Sequence, residues 1–415
     1  MLNHALWNSG GHTARSEAFS TGFPVRNWFR LSAISAGFIA VLVGYTSSAA
    51  IVFQAASAAG ATTAQLNSWM WALGIGMGVT CLAYSLYYKH PILTAWSTPG
   101  AALLAVSLVN VDMPDAIGIF LFSSLLLLIS GVTGWFHAIT RRVPATIASA
   151  MLAGILTRFG LDLFIAMQTQ WVMVGLMFAG LLLSRIWMPR YAIAITLLIG
   201  ILYAQAKGML HTELLDWSPA RPLWVTPSFS LSALIGVGIP LFIVNMTSQN
   251  LPGLAVLRAN GYQTPVSPLM AGNGIIGILL APFGGYAFGV AAITAAICMS
   301  KEADPDPAKR YIASSWAGLF YLFVGVFGAT VVGLFAAFPA ELVAAIAGLA
   351  LLGTIGNSLA AAVADEKGRE AAIVTYLATA SGMSFMSVGS AFWGLLFGIA
   401  MHYLAQWLRN RKIAA

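Results

Sequence analysis

Fourteen apolar runs follow one another along the 415-residue chain, beginning near Leu31, Leu66, Pro91, Pro114, Pro144, Gln170, Pro189, Phe229, Pro268, Tyr286, Lys309, Ala340, Arg369 and Gly389. They are interrupted only by glycine, proline and clusters of charge. A spanning helix needs roughly 20 apolar residues, so nearly the whole chain is committed to crossing a bilayer repeatedly, and nothing is left over for a soluble catalytic domain. Several runs are short, and twelve crossings satisfy the pattern as well as fourteen. Charged residues make up 8 % of the chain and hydrophobic ones 59 %, against about 25 % charged in soluble domains. The mean hydropathy of +0.84 agrees, and the expected fold is an all-α polytopic membrane protein.

The positive charge shows how such a protein would lie. With the amino terminus in the cytoplasm, all of the 20 Lys and Arg residues fall on that side except Arg158, Lys207 and Arg221. This asymmetry follows the positive-inside rule and implies an even number of spans with both termini cytoplasmic. The net charge of +7 is therefore scattered singly between spans, which is the arrangement of topology determinants and not of a nucleic-acid surface. Residues 1–30 carry Arg15, Arg26 and Arg30 without a cleavage motif and read as a retained cytoplasmic tail, as do residues 409–415. Cys81 and Cys298 lie in apolar runs and form neither a disulfide framework nor a metal site.

A repeat lies underneath the spans. Val43-Gly44-Tyr45-Thr46-Ser47-Ser48, running on to Gly60, matches Val244-Asn245-Met246-Thr247-Ser248-Gln249, running on to Gly261, at one constant offset. The first span thus pairs with the eighth, and a seven-span unit, being odd, returns upside down. This predicts two inverted halves, residues 31–225 and 226–408, as in secondary transporters.

The third and tenth spans carry a second signal. Ser97-Thr98-Pro99-Gly100 places a capping hydroxyl and an N1 proline in the middle of an apolar run, so a helix is expected to begin inside the membrane. Pro282-Phe283-Gly284-Gly285-Tyr286 gives the corresponding break, with a half-helix expected over residues 287–299. Ordinary kinks in full-length helices would use the same residues; the occurrence of the breaks as a pair favours broken helices. Two such starts aim free N–H groups and about half a positive charge each at a midplane point, which suits an anion.

That point would be floored by residues 98–101 and 286–288. Its walls would be Tyr45, Thr46, Ser47 and Ser48 on one side and Asn245, Thr247, Ser248, Gln249 and Asn250 on the other, with Trp96, Phe283 and Phe288 adding aromatic surface. Polar groups at that depth need partners. Substrate contact and interhelical bonding, worth about 0.6 kcal/mol on average, both supply them; the Thr and Ser of the first repeat favour substrate contact. The candidate substrate-binding set is therefore Tyr45, Thr46, Ser47, Trp96, Ser97, Thr98, Asn245, Thr247, Ser248, Gln249, Asn250, Gly284, Gly285 and Tyr286.

Other matches lead nowhere. Gly272-Asn273-Gly274-Ile275-Ile276-Gly277 fits a dinucleotide fingerprint but lies inside a span with no preceding strand. The six histidines show no metal-ligand spacing, and no pair of carboxylates converges. No enzyme, cofactor or metal is indicated.

The stretches Gly44-Tyr45-Thr46-Ser47-Ser48, Ala95-Trp96-Ser97-Thr98-Pro99-Gly100, Pro282-Phe283-Gly284-Gly285 and, most specific, Asn245-Met246-Thr247-Ser248-Gln249-Asn250-Leu251-Pro252-Gly253 resemble the benzoate/proton symporter family over essentially the whole chain. The resemblance implies uptake of benzoate or a related aromatic acid with protons in a bacterial cytoplasmic (inner) membrane. That family is distantly similar to nucleobase, ascorbate and sulfate carriers, which implies a core of spans 1–4 and 8–11 and a gate of spans 5–7 and 12–14. The same comparison puts the carboxylate at Ser97, Thr98, Gly285 and Tyr286. Nucleobase carriers place glutamates in spans 8 and 10, and this chain has none there.

A univalent anion entering against about 100 mV climbs roughly 2.3 kcal/mol, so carboxylate uptake calls for at least one proton. It could ride on the substrate itself, or on Asp162, His90 or Glu341. An anion channel built on the same helix ends, an uncoupled or exchange carrier for another small organic or inorganic anion, elevator or rocking motion, and a homodimer all stay open at this level.

Overall fold

The computed structural model describes residues 28–109, 111–135, 144–211, 219–385 and 388–414. Most of the amino-terminal tail, with Arg15 and Arg26, and the loop arginines Arg141 and Arg142 lie outside the described residues, as do the side chains of the carboxy-terminal tail.

Every apolar run becomes at least one element. The first half is α1 (Leu31–Ala58), α2 (Thr63–Tyr88), β1 (Thr94–Trp96), α3 (Thr98–Ser107), α4 (Met113–Thr133), α5 (Ala145–Thr169), α6 (Trp171–Trp187) and α7 (Ala192–Ala206). The second is α8 (Leu231–Arg258), α9 (Val266–Leu280), β2 (Phe288–Val290), α10 (Ile293–Cys298), α11 (Tyr311–Val326), α12 (Gly328–Ala336), α13 (Ala340–Val363), α14 (Arg369–Ala380) and α15 (Ser390–Ala414). A short hairpin of Ser384–Phe385 and Val388–Gly389 joins the last two. Among the described residues eight helices are long and apolar enough to cross a membrane, and α11 with α12, bent by 67°, would make nine. α3, α6, α7, α10 and α14 are shorter, 6 to 17 residues each. At 1.5 Å per residue none of these spans a 30 Å hydrocarbon layer upright. The fourteen expected segments are therefore present, but not as fourteen full-length rods.

The halves are related by inversion. β1 and β2 pair antiparallel, with Ala95 opposite Gly289. α2 packs along α11 and α4 along α9, contacts that exchange when each element is replaced by its counterpart seven runs away. A second tight group is α5 with α13 and α14, and α14 with α15. α1 and α3 touch this group through α13 and α5, and the main cavity lies along that seam.

Packing between helices uses close backbone approach more than side-chain bulk. A Cβ on Gly74 would sit 2.4 Å from the Gly325 Cα, so α2 and α11 meet at backbone contact. This is how helices gain dispersion energy in lipid, where no hydrophobic force drives them together. At the end of the molecule near the start of α1, polar ties replace it. Arg30 Nη1 lies 2.6 Å from the buried Asp304 Oδ2, Arg310 Nε donates to the Asp304 carbonyl at 2.8 Å, and the Lys89 ammonium sits 4.8 Å from the Tyr311 ring centre.

Candidate functional site

Both expected helix breaks occur, and they differ in construction. In the first half, Ser97 caps α3: its Oγ accepts the Gly100 N–H at 3.0 Å, and Pro99 occupies the first turn. In the second half the helix begins at Ile293, not at residue 287, which corrects the expected boundary. Residues 288–290 are extended because they pair with β1. The ladder continues on both sides, with the Ser97 N–H on the Ala287 carbonyl at 2.9 Å and the Ala291 N–H on the Leu93 carbonyl at 2.8 Å. Unpaired backbone in the membrane interior is costly, so each strand exists because the other does.

The polar run of α8 is wound as a π turn over Asn245–Asn250. Its wider pitch places Asn245 and Asn250 side by side against β2. Asn245 Nδ2 donates to the Phe288 carbonyl at 3.2 Å, Asn250 Oδ1 accepts the Val290 N–H at 2.9 Å, and Asn250 Nδ2 donates to the Asn245 carbonyl at 3.0 Å. These two asparagines hold the strand. Thr247, Ser248 and Gln249 are left facing a cavity of about 680 Å³. Single π turns of this kind recur at functional sites.

The cavity reaches the middle of the molecule, where Gly44, Ser47, Ser48, Trp96, Thr98, Pro99 and residues 291–294 meet; Ser149, Thr354, Asn357 and Ser358 of α5 and α13 form its other side. Of the sequence-predicted residues, the structure brings Ser47, Trp96, Thr98, Thr247, Ser248 and Gln249 together here. Tyr45 stands one layer behind, its ring edge-on to Trp96 at 4.8 Å, while the Trp96 indole N–H donates to Ser48 Oγ at 2.9 Å. Thr46 returns its hydroxyl to the Leu42 carbonyl at 2.8 Å and does not line the cavity. Ser97, Asn245 and Asn250 act on the backbone that shapes the site.

Gly284, Gly285 and Tyr286 lie outside the cavity lining. Gly284 has φ of +94°, and a Cβ there would meet Trp69 at 1.8 Å, so the turn needs glycine. Tyr286 is fully buried, with its ring 5.3 Å from Phe120 and 5.9 Å from Trp69. The expected floor at residues 286–288 is thus replaced by residues 291–294. This shift leaves no local sign in the sequence, since the pairing that causes it joins residues far apart in the chain.

Among the described residues, no Asp, Glu, Lys, Arg or His lines the cavity. What it offers an anion is neutral. The N–H groups of Ile293, Thr294 and Ala295 have no acceptor among the described residues, and Thr98, Thr294 and Gln249 line the same space. The three proton-carrier candidates lie elsewhere. Asp162 pairs with Arg158 at 3.2 Å, His90 Nδ1 is 2.8 Å from Thr264 Oγ1, and Glu341 accepts from Thr169 at 3.4 Å.

A second cavity, about 790 Å³, contains Arg158, Asp162, Asp115 and Gln54. α3, α5 and α8 line both cavities at opposite ends: Thr98 and Pro99 against residues 105–107, Ser149 and Leu152 against residues 154–162, and residues 247–252 against residues 230–237.

The family described as benzoate membrane transport protein, BenE, matches residues 27–404. The inner membrane protein YdcO of Escherichia coli is 47 % identical over 377 residues, 91 % of this chain and 96 % of that protein. The benzoate membrane transport protein of Acinetobacter baylyi is 40 % identical over 374 residues, 90 % of this chain and 95 % of that protein. Among solved structures, the murine solute carrier 26 family member A9 anion transporter superposes with a TM-score of 0.61 over 99 % of this chain and 77 % of its own, at 11 % identity, a likeness of fold alone. Apolar spans, paired half-helices and kinship across nearly the whole chain converge: this is a multi-pass membrane transport protein, and it belongs to the BenE benzoate transport family.

Proposed function

We propose that this protein imports benzoate or a related aromatic carboxylate together with protons, by alternating access, across a bacterial cytoplasmic membrane with both termini inside. The observation that carries the reading is the central cavity: uncapped helix N–H groups beside Thr98, Thr294 and Gln249, an aromatic wall, and no acid or base among the described residues that line it. Neutral donors and a helix end suit one negative charge without trapping it, and the ring of an aromatic acid gains about 0.5–1.5 kcal/mol per well-placed aromatic neighbour beyond burial. A relative 40 % identical carries benzoate in its name.

The two cavities at opposite ends of α3, α5 and α8 support alternating access. In this reading spans 1–4 and 8–11 form a core that carries the acid against a gate of spans 5–7 and 12–14. With no acid lining the cavity among the described residues, the transported proton rides on the substrate carboxylate, which removes the electrical penalty of about 2.3 kcal/mol per 100 mV.

Reconstitution tests this directly. Proteoliposomes with an imposed inward proton gradient should accumulate labelled benzoate, and a protonophore should abolish the accumulation. Benzoate-dependent current with no response to the proton gradient would replace the symporter by an anion channel.

A further inference from the structure

The cavity wall includes a tyrosine that the sequence-predicted set lacks. Tyr321, midway along α11, is 1 % exposed and lines the cavity, yet its hydroxyl makes no hydrogen bond with any described residue. Its ring is fixed from behind by Tyr45, tilted against it at 6.1 Å, and Tyr45 in turn sits edge-on to Trp96. The ring is enclosed in protein, so the cavity is the one side from which its hydroxyl can be reached, and no described residue partners it there. The group that fills the cavity is the remaining partner.

Gly44 shows what the hydroxyl faces. A Cβ built there would lie 3.1 Å from the Tyr321 Oη and 3.6 Å from Thr294 Cγ2. The missing side chain therefore leaves one gap in front of both groups, beside the unbonded N–H groups at the start of α10. Trp96 and Tyr321 are the two aromatic residues lining the cavity among the described residues, and the Trp96 N–H is already spent on Ser48. Tyr321 is the one with a polar tip to offer.

We propose that Tyr321 is a substrate-binding residue whose hydroxyl donates a hydrogen bond to the carboxylate of the bound acid, and that Gly44 holds that seat open. The carboxylate then lies between the phenol, Thr294 and the α10 N–H groups, and the acid's ring extends toward Trp96. This rests on the aromatic-carboxylate reading given above.

The test is calorimetric binding of benzoate, an aliphatic monocarboxylate, bicarbonate and sulfate to purified full-length parent, Tyr321→Phe, Gly44→Ala and the double variant. Tyr321→Phe keeps the ring, so the ligand-free unfolding midpoint should stay at the parent value while benzoate binding weakens about 10-fold. Gly44→Ala should weaken binding at least as much. The double variant should be no weaker than Gly44→Ala alone, because the methyl already closes the gap the hydroxyl serves. Parent-like affinity in Tyr321→Phe overturns the inference; if that variant does not fold, parent-like affinity in Gly44→Ala overturns it instead. Should the parent prefer another anion, and Tyr321→Phe weaken that one, the aromatic reading falls while the hydroxyl contact stands. Binding of none of the four by the parent sinks both.

Discussion

The two broken spans perform the same architectural task by different means. The first start, at Ser97-Thr98-Pro99, is built locally: a side-chain cap, an N1 proline and a ten-residue helix. It therefore offers an anion little, since Pro99 has no N–H and Ser97 takes the Gly100 N–H. The second start, at Ile293, has no cap and only six helical residues, but it leaves three N–H groups unclaimed. It is held instead from outside, by strand pairing and by Asn245 and Asn250. One broken span is self-supporting and nearly closed to ligand; its counterpart is supported by neighbours and open. An inverted repeat can thus keep its geometry while the two copies divide stability and binding between them.

The sharpest way to break this contrast is Asn250→Leu, which removes the acceptor for the Val290 N–H and the donor to the Asn245 carbonyl in the same buried place. Two unmatched groups cost about 2–4 kcal/mol together, so the thermal midpoint should fall steeply or folded yield be lost. A parent-like midpoint would show that the second start does not depend on α8. Next come Thr98→Val and Gln249→Leu, which strip polar atoms from cavity-lining residues whose side chains make no hydrogen bond with a described residue. Each should weaken benzoate about 10-fold in calorimetry, roughly 1.4 kcal/mol, with the unfolding midpoint nearly unmoved. Equal binding in both variants would dissociate the anion from this end of the cavity.

Ser97→Ala tests the self-supporting start. Loss of the cap should destabilise by about 1–2 kcal/mol, less than Asn250→Leu, and a larger loss than at Asn250 would reverse the proposed division of labour. The smallest effect concerns the polar end of the same region. Burial holds the His90 imidazole below its usual value of 6.5, so the unfolded chain takes up a proton more readily than the folded one. Stability is then level above about pH 6.5 and declines as the pH falls below it. His90→Asn should flatten that decline in a pH series of thermal midpoints, by a few tenths of a kcal/mol for a group this exposed.

The legible part of the fold is what local chemistry encodes. Apolar run length and the loop arginines disclosed a multi-span helical chain, and the match of residues 43–48 with residues 244–249 disclosed its inversion. Ser97 and Pro99 marked the third break to the residue because cap and proline act within four positions. The tenth break was misplaced by six residues, because Gly284 and Gly285 build a turn around Trp69 while the true helix start is set by β1 across the molecule. Asn245 and Asn250 read as ligands from their type and depth, and only the π turn shows that they face β2.

Sequence alone thus determined that this chain lives in a bilayer, repeats itself upside down and interrupts two spans, since hydrophobicity, charge placement and capping are properties of a residue and its near neighbours. Which polar groups meet was decided by tertiary structure. The pairing of β1 with β2, the neighbourhood of Gly44, Thr294 and Tyr321, and the sealing of Tyr286 away from the cavity all join residues remote in the chain. Such contacts leave no periodic trace in the sequence, because their free energy arises only when both partners have been carried to the same place.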